Sequence, residues 1–278
     1  MRVQLLGCVE AHTPTLGTIR ISGGAGRLLA VLSWTPGSFV PDELAIERVW
    51  EERRAPRNPR DALYILATRL RKALGENAEC VIRRNGGYLL AVGEGCVDVS
   101  RFRSLVRSAA EDSRVGMDHQ ALRRYADALT LWRGEPLSDV RTPWADAVRV
   151  TLHHEYRDVL AGCAELALRT GRHEEYVSLL HTFTAASPFD ERLTGLLMLA
   201  LDRSGRRTEA LELFRRTRAR MIESLGCEPG PELQDVHELL LSWDEGPAEA
   251  THLGASGKWS ARYRSRRGAK LVGSILSS

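Results

Sequence analysis

Segments that read as strands are confined to the first 96 residues, and from Val97 onward every periodic segment reads as helix. In a chain of 278 residues, where a domain takes roughly 100–200, this asymmetry implies a small mixed α+β domain followed by an all-α one. In the first part, Val3–Glu10 and Leu16–Ser22 are short runs rich in Leu, Val and Ile on either side of a Thr13-Pro14 turn, and read as strands. Gly23-Gly24 breaks the chain, Arg27–Trp34 fits a short helix ended by Pro36-Gly37, and Ser38-Phe39-Val40 fits a brief strand. Pro41-Asp42 starts a second helix with Leu44, Val49 and Trp50 on its apolar side. Asn58-Pro59, an N-cap followed by proline at N1, opens a third helix to about Leu74, with Gly75 placed as C′. Cys80–Arg84 and Tyr88–Val92 then flank Asn85-Gly86-Gly87, a hairpin signal.

Helical patterns follow over about Val99–Glu111, His119–Trp132, Asp146–Thr170, Arg172–Ala185, Asp190–Ser204, Arg206–Leu225 and Glu232–Ser242. Gly171-Arg172 and Gly205-Arg206 lie 34 residues apart, and at that offset Glu175/Glu209, Val177/Leu211, Leu179/Leu213 and Leu180/Phe214 match in character. That spacing is the tetratricopeptide period, so Val97–Trp243 reads as stacked helical hairpins able to hold a protein or peptide, with a plain helical bundle as the alternative. From about Asp244 the chain turns rich in Gly, Ala and Ser, with basic residues and no acid after Lys258, which predicts a solvated, disordered tail.

Several function classes are disfavoured. No apolar run approaches the roughly 18 residues of a membrane span, and the start lacks a secretory h-region, so a cytoplasmic protein away from membranes is expected. Five dispersed cysteines without a C-x-x-C pair suggest reduced thiols, mostly buried. His153-His154-Glu155 lacks the H-E-x-x-H spacing, and Gly257-Lys258 is followed by Trp259 and preceded by His252 where a phosphate loop needs glycine. Neither a cofactor, a metal nor catalysis is expected. Trp34, Trp50, Trp132, Trp144 and Tyr125 are read as core residues.

The third helix carries the chemistry. Leu63, Leu66, Ala67, Leu70 and Leu74 form one inward stripe, and the opposite side carries Asp61, Tyr64, Ile65, Thr68 and Lys72 with Arg69 and Arg71 at its edges. Such a face suits a major groove, where arginine takes guanine O6/N7 and a threonine methyl meets a thymine methyl. From Arg53 to Arg84 nine basic residues face three acidic ones, within a chain of net charge only +3. A solvated helix face would look similar, but the basic hairpin directly after the helix adds a wing able to grip flanking phosphates. Tyr64, Thr68, Arg69 and Arg71 are therefore candidates for base contact, and Arg57, Arg60 and Lys72 for phosphate.

Strands, three helices and a hairpin resemble an OmpR-type winged-helix domain. The segments DALYILATRLRKAL and Val81-Ile82-Arg83 through Gly87-Tyr88-Leu89-Leu90 resemble the DNA-binding domain of the Streptomyces antibiotic regulatory protein family. VDVSRFRSLV, LTLWRGEPLSDV, GRHEEYVSLL, ERLTGLLMLALDRSGRRTEALELFRRTR and LGCEPGPELQDVHELLL are similar to successive parts of that family's bacterial transcriptional activation domain. The resemblance implies a winged helix over residues 1–96, an all-α tetratricopeptide-like activation domain over 97–243 and a basic tail over 244–278. It implies an activator of secondary-metabolite genes that binds direct repeats in double-stranded promoter DNA as a homodimer and recruits RNA polymerase with its sigma factor. Arg83, Arg84, Asn85, Gly86 and Gly87 inherit the wing, and Glu51, Glu52, Arg53 and Arg54 the loop that faces polymerase. Asp61 and Tyr64 depart from the family pattern and imply a distinct operator preference; Asn85-Gly86 in place of Pro-Pro implies a more flexible wing tip. The rival reading is a helical-repeat scaffold whose basic N-terminal domain binds RNA or protein; the lack of aromatics in the first two strand segments lowers it.

Overall fold

The computed structural model describes residues 1–51 and 55–242; Glu52, Arg53, Arg54, Trp243 and the tail from Asp244 lie outside the described residues. The chain forms two compact units, Met1–Leu180 and His181 onward.

In the first unit, β1 (Arg2–Gln4), β2 (Glu10–Thr13) and β3 (Gly17–Arg20) form an antiparallel sheet in the order β1-β2-β3. Val3 stands opposite Ala11, and Ala11 opposite Ile19. The single strand expected over Val3–Glu10 is thus two strands with a backbone detour between them, held by distant groups. The Asp98 carboxylate accepts from Leu5 N (2.8 and 2.9 Å) and Leu6 N (2.9 Å), while Arg133 N and Leu137 N donate to the carbonyls of Leu6 and Leu5 at 2.9 and 3.0 Å. Burial pushes the Asp98 carboxyl up, opposed by the N–H donors of Leu6, Leu5 and Val99, which favour its ionised form.

Helix α1 (Gly23–Trp34) begins at the glycines expected to break the chain. A Cβ at Gly24 would press into the Leu66 side chain and one at Gly26 into the Ile21 carbonyl, so these glycines permit close packing there. A second sheet has the order β4-β6-β5, from β4 (Val40–Pro41), β5 (Val81–Arg84) and β6 (Gly87–Leu90). Helices α2 (Asp42–Val49) and α3 (Pro59–Leu74) lie between β4 and β5 in sequence. The core gathers Val3, Leu28, Leu32, Leu63, Leu70 and Leu90 and continues into Val99, Phe102, Leu137, Val148 and Leu152. Trp34, Trp50, Trp132, Trp144 and Tyr125 pack partly buried against it. The change of secondary structure near residue 96 is therefore not a break in packing.

The helical part matches the expected segments closely: α4 (Asp98–Arg114), α5 (Asp118–Thr130), α6 (Pro143–Thr170), α7 (Glu174–Ala186), α8 (Glu191–Arg203), α9 (Arg207–Leu225) and α10 (Pro231–Ser242). The 34-residue repeat holds at atomic detail. Gly171 and Gly205 sit at φ +75° and +74°, and Arg172 N and Arg206 N each reach back 2.8 Å to a carbonyl five residues earlier. Arg172 and Arg206 each clasp the glutamate three residues on, Glu175 and Glu209. In the second unit α8 packs against α9 and α10, with Leu193, Leu197 and Leu201 of α8 and Leu233, Val236 and Leu240 of α10 all buried. Phe214 stacks on His237 with centroids 3.8 Å apart.

Of the five cysteines only Cys163 is buried, its thiol pushed up to about 12 by desolvation; Cys227 is exposed and the other three are intermediate, so the expected burial holds for one. Among the described residues no helix is long and apolar enough to cross a membrane.

Candidate nucleic-acid interface

Leu63, Leu66, Ala67, Leu70 and Leu74 of α3 are all buried, as the stripe requires, and the opposite face is open. Tyr64 and Ile65 are 61% and 49% exposed, large apolar surfaces to leave in water. Thr68 Oγ1 donates to the Tyr64 carbonyl at 3.0 Å, a bond within the helix that occupies the hydroxyl proton. Arg69 and Lys72 are exposed, one and two turns beyond Ile65 by the helical period. Asn58 stands at the N-cap, but its side chain caps no backbone N–H: its amide donates to the Asp61 carboxylate, and its carbonyl takes the first helical bond from Ala62 N. Gly75, at φ +56°, is the C-cap residue itself.

The basic residues expected to contact DNA divide into two kinds. Arg57, Arg69, Lys72 and Arg84 are exposed and form no ion pair or side-chain hydrogen bond among the described residues. Arg60 Nη2 lies 2.6 Å from Glu43 Oε1 on α2, and this hydrogen bond, after one from Glu43's own backbone, lowers the Glu43 carboxyl. Arg71 turns back, its Nε and Nη2 donating to the Val81 carbonyl at 3.0 and 2.8 Å. Arg83 forms a two-pronged pair with Asp42, including Nη2 to Oδ2 at 2.8 Å, and covers the Tyr88 ring at 4.4 Å. Arg71 and Arg83 are thus engaged inside the domain rather than held out from it.

The wing is a two-residue turn, Asn85-Gly86, with Gly86 at φ +80°. A Cβ on Gly87 would collide with the Val40 carbonyl and the Phe39 ring, so glycine there lets β6 lie against β4. Of the loop expected to face polymerase, Glu51 is exposed and the other three residues lie outside the described residues. Asp42 and Glu43 were not singled out by sequence: they stand some 40 and 17 residues from their partners, with Pro41-Asp42 visible only as a helix start.

The His153-His154-Glu155 run disperses to three partners. His153 meets Glu135 at 3.1 Å, His154 Nδ1 accepts from Arg157 at 2.6 Å, and Glu155 takes Arg103 at 2.8 Å. Among the described residues no cluster of three or more His, Cys, Asp or Glu side chains is arranged to hold a metal ion.

Residues 97–241 match the family described as the bacterial transcriptional activator domain. The chain is 38% identical over 254 residues to regulatory protein AfsR of Streptomyces coelicolor, covering 90% of this chain and 25% of that protein. It is 32% identical to regulatory protein DnrI of Streptomyces peucetius, over 88% of this chain and 94% of the relative. A solved structure of Mycobacterium tuberculosis EmbR, in complex with a low-affinity phosphopeptide, superposes with a TM-score of 0.79 at 26% identity, over 89% of this chain and 66% of that one. The chain therefore spans about a quarter of the AfsR protein and nearly the whole of DnrI.

Proposed function

Because the chain belongs to the Streptomyces antibiotic regulatory protein family of transcriptional activators, we propose that it binds promoter DNA through the open face of α3 and the wing. The observation that carries this reading is the set of cations unpaired among the described residues, Arg57, Arg69, Lys72 and Arg84, around an outward face that also exposes Tyr64, Ile65 and Thr68. A packed core needs none of these side chains, whereas a groove edged by phosphates accepts all of them. Tyr64, Thr68 and Arg69 contact base edges; Arg57, Lys72 and Arg84 meet phosphates. Arg60 joins them only by exchanging Glu43 for phosphate, and Arg71 supports the helix-to-wing junction instead of reading a base.

The finer roles rest on the family likeness: binding of direct repeats as a homodimer, recruitment of RNA polymerase and its sigma factor through the loop of Glu51 to Arg54, control of secondary-metabolite genes, and a cytoplasmic location. The test is a gel-shift titration of the full chain with promoter DNA from its own gene neighbourhood, the same DNA with one repeat scrambled, and random DNA, at about 150 mM salt because phosphate contacts make affinity salt-dependent. Tight binding lost on scrambling one repeat is expected. Equal weak binding to all three would overturn the reading.

A further inference from the structure

Arg83 is one of the two basic wing residues that sequence gives to DNA, yet its guanidinium is already held from two directions. In the ladder Arg83 stands opposite Tyr88, and Tyr88 opposite Val40, so the three line up across β5, β6 and β4. The Arg83 side chain follows that line: it lies over the Tyr88 ring, 4.4 Å from its centroid, and ends on the Asp42 carboxylate one step past β4. Asp42 is nearly buried, its side chain 7% exposed against 41% for Arg83. Its backbone N–H also donates to the Gly86 carbonyl at the wing turn, 2.8 Å away. β4 supplies just two register pairs to this sheet, and β5 is its outer strand. The other end of β5 is pinned separately, by Arg71 on the Val81 carbonyl.

We propose that Asp42 and Arg83 are a positioning pair that locks the wing to the start of α2, so that Arg83 serves DNA binding by holding Arg84 and the turn in place and not by touching phosphate. The proposal deepens the DNA-binding reading and rests on it. It makes an acid beside the nucleic acid favourable for binding. Ordinarily, removing a carboxylate near DNA strengthens association. Here Asp42→Asn removes one half of a two-pronged charged pair, and the wing loses its tie. Lysine cannot replace Arg83, because it has neither the planar fork for two oxygens nor the flat face that stacks on Tyr88.

The test uses the full chain and the duplex that it enriches from a random-sequence pool, with three variants: Asp42→Asn, Arg83→Ala and Arg83→Lys. Each is expected to bind about tenfold more weakly, with the double variant Asp42→Asn/Arg83→Ala no weaker than either single one, and with the dependence of affinity on salt unchanged. In the DNA-free protein, amide exchange over residues 82–90 is expected to quicken in all three while that of α3 stays as in the parent. Tighter binding by Asp42→Asn, or a flatter salt dependence with Arg83→Ala, would overturn the proposal and make Arg83 a phosphate ligand restrained by Asp42. Unchanged wing exchange would overturn it too, even if no duplex were enriched; failure of enrichment with quickened exchange would leave the lock standing and reject the DNA-binding reading alone.

Discussion

Arginine is plentiful both around α3 and the wing and along α7 to α10, but the two regions use it in different proportions. In the helical region most of the charge is spent locally, Arg206 on Glu209, Arg207 on Asp202, Arg215 on Glu212 and Arg218 on Glu228, with exposed Arg220 left unpaired among the described residues. These pairs raise the arginines and lower the glutamates, as in Arg206 with Glu209 and Arg218 with Glu228, where the hydrogen bond to the partner is the first cause. Around α3 and the wing, Arg57, Arg69, Lys72 and Arg84 have no side-chain partner among the described residues, while Arg60 and Arg83 meet acids and Arg71 bonds a backbone carbonyl. The electrostatic footprint of a chain is therefore set by which cations are left without a partner, more than by how many cations it has.

The contrast is broken most severely by removing the floor of the α3 face. Leu70 is fully buried beneath it, and Leu70→Ala is expected to cost about 2–5 kcal/mol in the chemical denaturation of the first unit. DNA affinity would fall with the folded fraction, while the helices from His181 onward keep their far-ultraviolet signal. A fully stable variant would mean that the buried stripe does not hold the face in place.

Next in size is a base-reading change. Arg69→Ala is expected to weaken binding to the enriched duplex by about 1–3 kcal/mol and to relax its preference at one base pair, if it reads guanine. Competition with base-substituted duplexes measures this. An equal loss on random DNA would move Arg69 to the phosphate-contacting group.

The smallest effect sharpens the helical side. Desolvation holds the His237 imidazole below its ordinary 6.5, with Glu238 opposing and Arg215 reinforcing that shift, as the ring stacks on Phe214. A depressed folded value means that the folded state favours the neutral ring. This contribution is full above about 6.5 and is lost as pH falls through the lower folded value. Urea melts across that window are expected to show a loss of stability that His237→Phe abolishes; an identical pH slope in the variant would assign the loss to other groups.

The periodic features were legible in sequence. The buried stripe of α3, the seven later helices and the glycine-arginine repeat at 34 residues all follow from side chains recurring at helical spacing, and local burial obeys that period. The wing hairpin was legible because Asn85-Gly86 between short apolar runs has few other uses. Features made by polar groups far apart in sequence were not legible. Asp98 reaches back 93 residues to divide the first expected strand, and Asp42 crosses 41 to take Arg83. Arg71 bonds a backbone carbonyl, which carries no sequence signature at all. Counting charge along the chain overstates the free charge of α3 and the wing, since pairing across elements is invisible to such a count.

The salt dependence of full-chain binding to the enriched duplex tests the central contrast most directly, with Arg84→Ala and Arg206→Ala as the two arms. Plotting log affinity against log salt, Arg84→Ala is expected to lower the slope by about 0.9, the share of one phosphate contact, and Arg206→Ala to leave slope and affinity as in the parent. An unchanged slope for Arg84→Ala, or a drop for Arg206→Ala, would contradict the assignment of DNA binding to the unpaired cations of α3 and the wing.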